Sequence, residues 1–307
     1  MITRSLVEDD ALELTLETQL WPFVERWMPR GLHRPVGAPQ ATVELTAATT
    51  PLPRPSGRPL LTLDRVHAWR EDKQGVVLRG GLAASGGIVS LDTRRARLWV
   101  DPAPEPEAAG DVYSMLTVAT ALLLAGLGRA LVHAAAVVHP DGGAWLLVGD
   151  ARSGKSTTCA TLVSAGWGYL SDDQVVLEAR EDGVQVEGWL RPFHLDASGA
   201  GGEPTGLRRE VHPVDLGLGG WRRGAPLAGV ILPTVSPREP TLLTSIVAAD
   251  ALAGLVRQSP WLLACPDRAA TTLAMLRRAA EAGAFALRLG LDTYRQPARL
   301  VAVLGSF

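Results

Sequence analysis

Apolar positions in the first hundred residues recur in short alternating runs, at Val43 to Thr46, Leu60 to Trp69, Gly75 to Leu78, Ile88 to Leu91 and Ala96 to Val100, and clusters of Gly and Pro separate them. Successive side chains of a strand point to opposite faces, so this spacing predicts a small N-terminal unit of short β-strands. The tract Asp101 to Gly110, rich in Pro, Ala and Glu, interrupts the alternation. It predicts a boundary between a β-rich domain, 1–104, and a second domain, 105–307.

Beyond the tract the pattern changes. A helix is expected to begin near residue 111, and the apolar run from Met115 to Gly128, which ends at Arg129, reads as buried helix too short to cross a bilayer. Ala134 to Val138, a turn at Pro140 to Gly143, and Ala144 to Val148 predict a hairpin. Its second strand is apolar throughout, as expected for a strand buried on both faces of a parallel sheet. Cys159, Leu162, Val163 and Gly166 then fall at helical spacing and predict a helix whose apolar side faces that sheet. Further strands are expected at Gln174 to Glu178, Val184 to Trp189 and Leu227 to Leu232, with helices near 248–258 and 267–281. Gly199 to Gly206 reads as a surface loop, and no internal repeat is visible.

The segment joining the predicted strand to the predicted helix carries the chemistry. Gly149-Asp150-Ala151-Arg152-Ser153-Gly154-Lys155-Ser156 is a complete G-x-x-x-x-G-K-[ST] phosphate-binding loop, and Lys155 is one of only two lysines in the chain, Lys73 being the other. Such a loop works because glycines let backbone N–H groups close around a phosphate at the start of a helix, where the helix dipole also favours negative charge. The expected nucleotide contacts are therefore residues 149–157, that is Gly149, Asp150, Ala151, Arg152, Ser153, Gly154, Lys155, Ser156 and Thr157. Lys155 would reach the β- and γ-phosphates and the Ser156 hydroxyl would ligate Mg²⁺, which makes ATP and Mg²⁺ the expected cofactors.

Phosphoryl transfer also needs a group that orients or deprotonates the acceptor and one that completes the metal shell. Asp172 and Asp173 follow the next short apolar run, at the end of a strand, where sites of this kind assemble. Both can enter one site only if the strand stops there, since neighbouring strand residues face opposite ways. Asp172 is expected to join Ser156 at the metal, and either aspartate can be the base, with a slight preference for Asp173. His133 begins the first strand of the hairpin, and its value depends on the residues beside it.

Composition narrows the field. The chain has 307 residues, 47% hydrophobic and 20% charged, which suits a globular protein with a sizeable core. A net charge of −2 and a pI near 6.3 give no global basic field and argue against nucleic acid as a partner. Cys159 and Cys265 are too few for a metal cluster and read as buried thiols of a reducing compartment. The acidic start at Glu8, Asp9 and Asp10 lacks the basic-then-apolar order of a secretory signal, so a cytoplasmic location without membrane attachment is expected.

The order His133, loop 149–156, Gly166 and Ser171-Asp172-Asp173 resembles the HPr kinase/phosphorylase family, whose catalytic core is similar to that of phosphoenolpyruvate carboxykinases. The match covers residues 129 to 195, without a gap from Lys155 to Asp173. The resemblance implies an α/β fold, a P-loop kinase core of that type, with the smaller β-rich domain in front. It implies a kinase that moves the γ-phosphoryl group of ATP to a serine-like hydroxyl of a peptide, protein or small molecule. Lys155 and the loop amides would hold the phosphates, one aspartate would accept the hydroxyl proton, and His133 would support that aspartate. Members are often oligomeric, so a homo-oligomer is compatible with the resemblance. Leu190 to Leu195 and Leu287 to Leu289 look more like the family's shorter relatives from peptide-maturation gene clusters.

The chain departs from the family at three points. Arg152 stands where the loop usually has glycine. No Glu-Ile-Arg-Gly type segment follows the aspartates, which removes the expected glutamate metal ligand and the element tied to reverse phosphorolysis. The N-terminal unit matches nothing in the family, so HPr itself is not the expected acceptor. Two other classes remain as alternatives: a nucleotide-hydrolysing switch, although Leu-Ser-Gly-Gly-Gln and Asn-Lys-x-Asp segments are absent from the sequence, and a silent nucleotide-binding module. Arg208, Arg209, Arg222 and Arg223 read as solvated pairs outside the site.

Overall fold

The computed structural model describes residues 1–7, 11–25, 37–71, 75–102, 106–189, 193–196, 208–211 and 221–305. Leu190 to Pro192 and the loop Gly199 to Gly206 lie outside the described residues, as do the side chains of Arg208 and Arg209. The chain forms two compact units, Met1–Leu131 with Pro260–Thr272, and Val132–Ser259 with Leu273–Phe307.

The first unit is built on an eight-stranded sheet. Its strands are β1 (Ile2–Ser5), β2 (Leu12–Leu16), β3 (Ala41–Ala47), β4 (Leu61–Leu63), β5 (Val66–Arg70), β6 (Gly75–Arg79), β7 (Gly86–Ser90) and β8 (Arg95–Val100), in the order β1-β2-β3-β8-β7-β6-β5-β4. A short helix, α1 (Trp21–Glu25), lies between β2 and β3 in the chain. The expected run Leu60 to Trp69 is divided into β4 and β5, a hairpin turned at Asp64, whose φ of 48° is left-handed. On β8 Ala96, Leu98 and Val100 are buried while Arg95 and Arg97 are exposed. One face of the strand is thus apolar.

The helix α2 (Glu107–Gly126) packs on β8, β7 and β3 within this unit. Helix and sheet share one core, so the unit does not end at residue 104: the Pro/Ala/Glu tract precedes the helix that completes the first unit, and Pro260–Thr272 returns to it. The helix starts at Glu107, ahead of the expected position, because Ala108, Ala109 and Val112 extend the apolar stretch upstream. At 20 residues it is long and apolar enough to cross a membrane by length and composition, unlike the run from Met115 alone, and 83% of its most apolar window is buried in the protein. Asp111 on α2 is fully buried, accepts N–H from Gly81 at 2.9 Å and Leu82 at 2.8 Å, and pairs with Arg65 at 3.1 Å. A buried carboxylate needs such partners, and these fix the β6–β7 connection.

The strand β9 (Arg129–Val132) leads into the second unit. This unit contains β10 (Ala135–Val138), β11 (Ala144–Leu147), α3 (Lys155–Ser164), β12 (Gly168–Ser171), β13 (Val175–Arg180), β14 (Gly183–Gly188), β15 (Phe193–Asp196), β16 (Arg208–Val211), β17 (Gly224–Val235), β18 (Leu242–Ser245) and α4 (Ala248–Arg257). Then come α5 (Pro266–Glu281), which enters it from Pro260–Thr272, β19 (Ala284–Leu289), α6 (Leu291–Arg295) and α7 (Pro297–Leu304). The main sheet runs β12-β10-β11-β17-β14-β13, and β19 and β18 add beside β17. It is mixed rather than parallel: β11 is parallel to β17 and antiparallel to β10, because the five-residue turn of the β10–β11 hairpin is too short for a parallel crossover.

Cys159, Leu162 and Val163 of α3 are buried in one core with Leu147, Ile231, Leu287 and Leu289. Gly166 does not share that face. It is exposed, past the last turn of α3, with a φ of 99°, the left-handed conformation that ends helices.

Candidate active site

Three strands bring the chemistry-bearing residues to one end of the sheet. Because β10 is antiparallel to both β11 and β12, the outer two run in the same direction with β10 between them. The register pairs Ala135 with Leu147 and Ala136 with Ser171. The last residues of β11 and β12 are therefore nearly level with the first residues of β10. His133 precedes β10, loop 148–154 follows β11, and Asp172-Asp173 follows β12, so all three leave the sheet on the same side.

The loop passes from β11 into α3 over the ends of β17 and β19. Gly154 caps the helix with a φ of 99°, and a Cβ there would lie 2.5 Å from Leu289 Cδ1 and 3.3 Å from Val235 Cγ2. Both the conformation and the space require glycine. Arg152 also has a left-handed φ, 66°, in the position where glycine was the expected residue. The loop thus keeps a glycine-type backbone with an arginine in place, and that side chain sits on an exposed residue. Gly149, Asp150, Ala151, Ser153, Ser156 and Thr157 all lie on this turn or the first turn of α3.

Lys155, at 7% exposure, is folded back into the loop, where its Nζ donates to the carbonyls of Gly149 at 2.6 Å and Asp150 at 3.0 Å. The ammonium is held by backbone oxygens that a phosphate oxygen can replace. Ser153 Oγ is buried beside Gly149, with no hydrogen-bond partner among the described residues. A buried hydroxyl without a partner costs free energy, so Ser153 Oγ is available to one further hydrogen-bond partner.

The aspartates differ. Asp172 is 5% exposed, whereas Asp173 is half-buried, and its Oδ1 stands 3.3 Å from His133 Nε2. The strand ends at Ser171, so Asp172 and Asp173 both lie beyond it. Ser171 makes the turn: its Oγ donates to the Trp189 carbonyl at 2.9 Å and accepts N–H from Asp173 at 3.3 Å and Gln174 at 3.2 Å. Ser171 was legible in the motif, but its capping role depends on Trp189, which arrives from another strand. Beneath the site Cys159 is fully buried, and burial, with the charge of Asp172 adding to it, pushes its thiol well above the usual range.

Gln258 was missed by the sequence reading. It caps α4, its Nε2 donates to Asp150 Oδ1 at 2.8 Å, and its carbonyl accepts the His133 N–H at 2.9 Å. A lone glutamine 108 residues downstream of Asp150 carries no local signal. Arg222 and Arg223 are exposed and lie on the approach to β17, and no described contact brings them to the loop.

Among the described residues no group of three or more His, Cys, Asp or Glu side chains could hold a metal ion alone. Mg²⁺ keeps several waters and shares its shell with substrate phosphates, so it asks for only one or two protein oxygens.

The chain has likenesses among solved structures. It is similar to the Hpr(Ser) kinase/phosphatase from Coxiella burnetii, at 14% identity and a TM-score of 0.32, over 57% of this chain and 93% of that chain. No protein-family model matches the chain, and no curated protein matches it.

Proposed function

We propose that the second unit is an ATP- and Mg²⁺-dependent phosphotransferase that moves a γ-phosphoryl group to a serine-like hydroxyl of a peptide, protein or small molecule. The observation that carries this reading is the meeting of His133 with Asp173 at the same sheet end as the Lys155 loop. A phosphate-holding loop alone serves binding or hydrolysis equally well; an oriented carboxylate beside it supplies the acceptor chemistry.

In the reaction the acceptor oxygen attacks the γ-phosphorus, the bond to the β-phosphate oxygen breaks, and the hydroxyl proton passes to Asp173. His133 Nε2 holds the Asp173 carboxylate in the position from which it accepts that proton. Lys155 and the loop amides draw the negative charge that builds on the phosphate oxygens, and preorganised donors of this kind supply much of the rate enhancement. Ser156 and Asp172 would hold Mg²⁺, which when bound neutralises phosphate charge. The family resemblance carried by His133, loop 149–156 and Ser171-Asp172-Asp173 supports the same reading, and the proposal includes a cytoplasmic location and an acceptor that is neither nucleic acid nor membrane.

The test is radiolabelled γ-phosphate transfer from MgATP to a cell extract and to a panel of hydroxyl-bearing peptides, with binding followed separately by calorimetry. Wild type should label an acceptor, Lys155→Ala should lose binding and labelling, and the Asp172→Asn/Asp173→Asn double variant should lose labelling while still binding. Labelling that survives in the double variant would remove the aspartates from the reaction. Rapid ATP turnover that no acceptor alters would favour a hydrolysing switch instead.

A further inference from the structure

We propose that Gln258 is a positioning residue that couples the shape of the phosphate loop to the placement of His133. The inference rests on the phosphotransferase reading and adds to it a residue from outside the contiguous motif. Its side chain and its main chain hold different parts of the site. Nε2 donates to Asp150 Oδ1 at 2.8 Å, and the carbonyl accepts the His133 N–H at 2.9 Å. A carboxylate only accepts, so the amide nitrogen, not its oxygen, faces Asp150.

Each end of this bridge continues into the site. On one side, the Asp150 carbonyl accepts from Lys155 Nζ at 3.0 Å, so the residue gripped by Gln258 also holds the ammonium. On the other, His133 Nε2 is 3.3 Å from Asp173 Oδ1. A movement of the loop is thereby passed through one side chain to the main chain that carries the histidine.

Gln258 is itself well anchored. It is 7% exposed, and its N–H donates to the Gly254 carbonyl at 3.1 Å. Gly254 lets α4 approach the sheet closely, since a Cβ there would lie 2.9 Å from Leu232 Cδ2 and 3.7 Å from Val148 Cγ1, the latter at the entrance to the loop. A charge-assisted hydrogen bond from a side chain held this way is worth about 1.5–3 kcal/mol, or roughly 10- to 100-fold in an equilibrium.

The experiment measures MgATP affinity of the full chain by calorimetry, with thermal melts of each variant and the ring signals of His133 by NMR, assigned from their loss in His133→Asn. Gln258→Ala and Asp150→Ala should each weaken binding about tenfold, and the double variant should be within about threefold of either single one, because both remove the same bond. Gln258→Glu sets two carboxylates against each other and should weaken binding further. Adding Asp150→Asn to it restores a donor and an acceptor with their order reversed, and should recover about tenfold. A merely structural role gives no such recovery. The His133 ring signals should move on saturating MgATP addition in wild type and move by less than half as much in Gln258→Ala.

If wild type binds MgATP but Gln258→Ala binds within twofold of it, or the reversed pair recovers nothing, or the His133 signals respond as fully in Gln258→Ala as in wild type, the coupling is wrong and the phosphotransferase reading stands. If wild type binds no MgATP, that reading falls and the coupling falls with it.

Discussion

The imidazole of His133 meets the carboxylate of Asp173 at 3.3 Å, although one precedes β10, the other follows β12, and the whole phosphate loop and its helix separate them in the chain. Asp172, adjacent in sequence, is more buried and makes no described contact with His133. The two acids therefore sit in unequal surroundings.

Asp173→Asn should lower kcat for transfer by roughly 10²- to 10⁴-fold, the usual contribution of a general base, while MgATP affinity changes by less than about threefold. His133→Asn should have a smaller effect, about tenfold, since it removes orientation and leaves the base. Steady-state kinetics with a labelled acceptor, combined with calorimetry, separates the two. Equal losses of kcat in both variants would mean the histidine takes part in the proton transfer itself.

Arg152 adopts a φ of 66°, which costs a side-chain-bearing residue about 1–2 kcal/mol. Glycine removes that strain but gives back about 0.5–1 kcal/mol through the freer unfolded chain. Arg152→Gly should accordingly leave stability equal or raise it by about 0.5 kcal/mol in urea unfolding, and Arg152→Val should lower it by about 1 kcal/mol or more, because β-branched residues rarely tolerate positive φ. A stabilising valine would show that the loop leaves this conformation easily.

Gly154→Ala combines a left-handed φ with a Cβ placed 2.5 Å from Leu289 Cδ1. Overpacking of this kind costs about 1–3 kcal/mol, and the loop should lose MgATP binding. Adding Leu289→Ala relieves the contact but not the φ, so it should restore only part of the affinity. Full restoration would assign the whole defect to crowding.

Cys159 and Cys265 are both buried, and burial raises both thiols, Cys159 the more strongly. Because the thiolate is the reactive form, iodoacetamide at pH 8 should modify neither residue in the native protein and both after unfolding. The folded state holds its Cys159 proton to higher pH than the unfolded chain does. Stability should therefore fall as pH rises past the ordinary thiol value of 9.0, and Cys159→Ala should remove that part of the slope. Mass spectrometry of the labelled peptides and melts against pH check both statements.

The parts of the site legible in the sequence are those written in consecutive residues. Ala144 to Val148, the octet and the spacing of Cys159, Leu162 and Val163 define strand, loop and the buried side of α3 because local propensity and burial agree there. Elements whose form depends on distant partners were less visible. The strand β2 carries a local signal, since Leu12, Leu14 and Leu16 alternate with Glu13 and Thr15, and it is absent from the expected strands, whereas β1 shows no such alternation. The end of β19 shows in the sequence only as a resemblance at Leu287 to Leu289, and only the fold brings Leu289 against Gly154. The boundary near residue 104 misled for a related reason: proline breaks a helix or strand locally, yet what joins α2 to the first unit is the apolar side it shares with β8.

Residues 133 to 173 build a histidine, a phosphate loop and an acidic pair onto three neighbouring strands, with pairing partners close along the chain. Contacts between near neighbours close with little entropy loss and form early. This span should accordingly be the nucleus of the second unit, with the reactive groups arranged before Gln258 and the strands beyond it arrive. Mutations there would slow folding, and those around α4 and β17 would chiefly hasten unfolding.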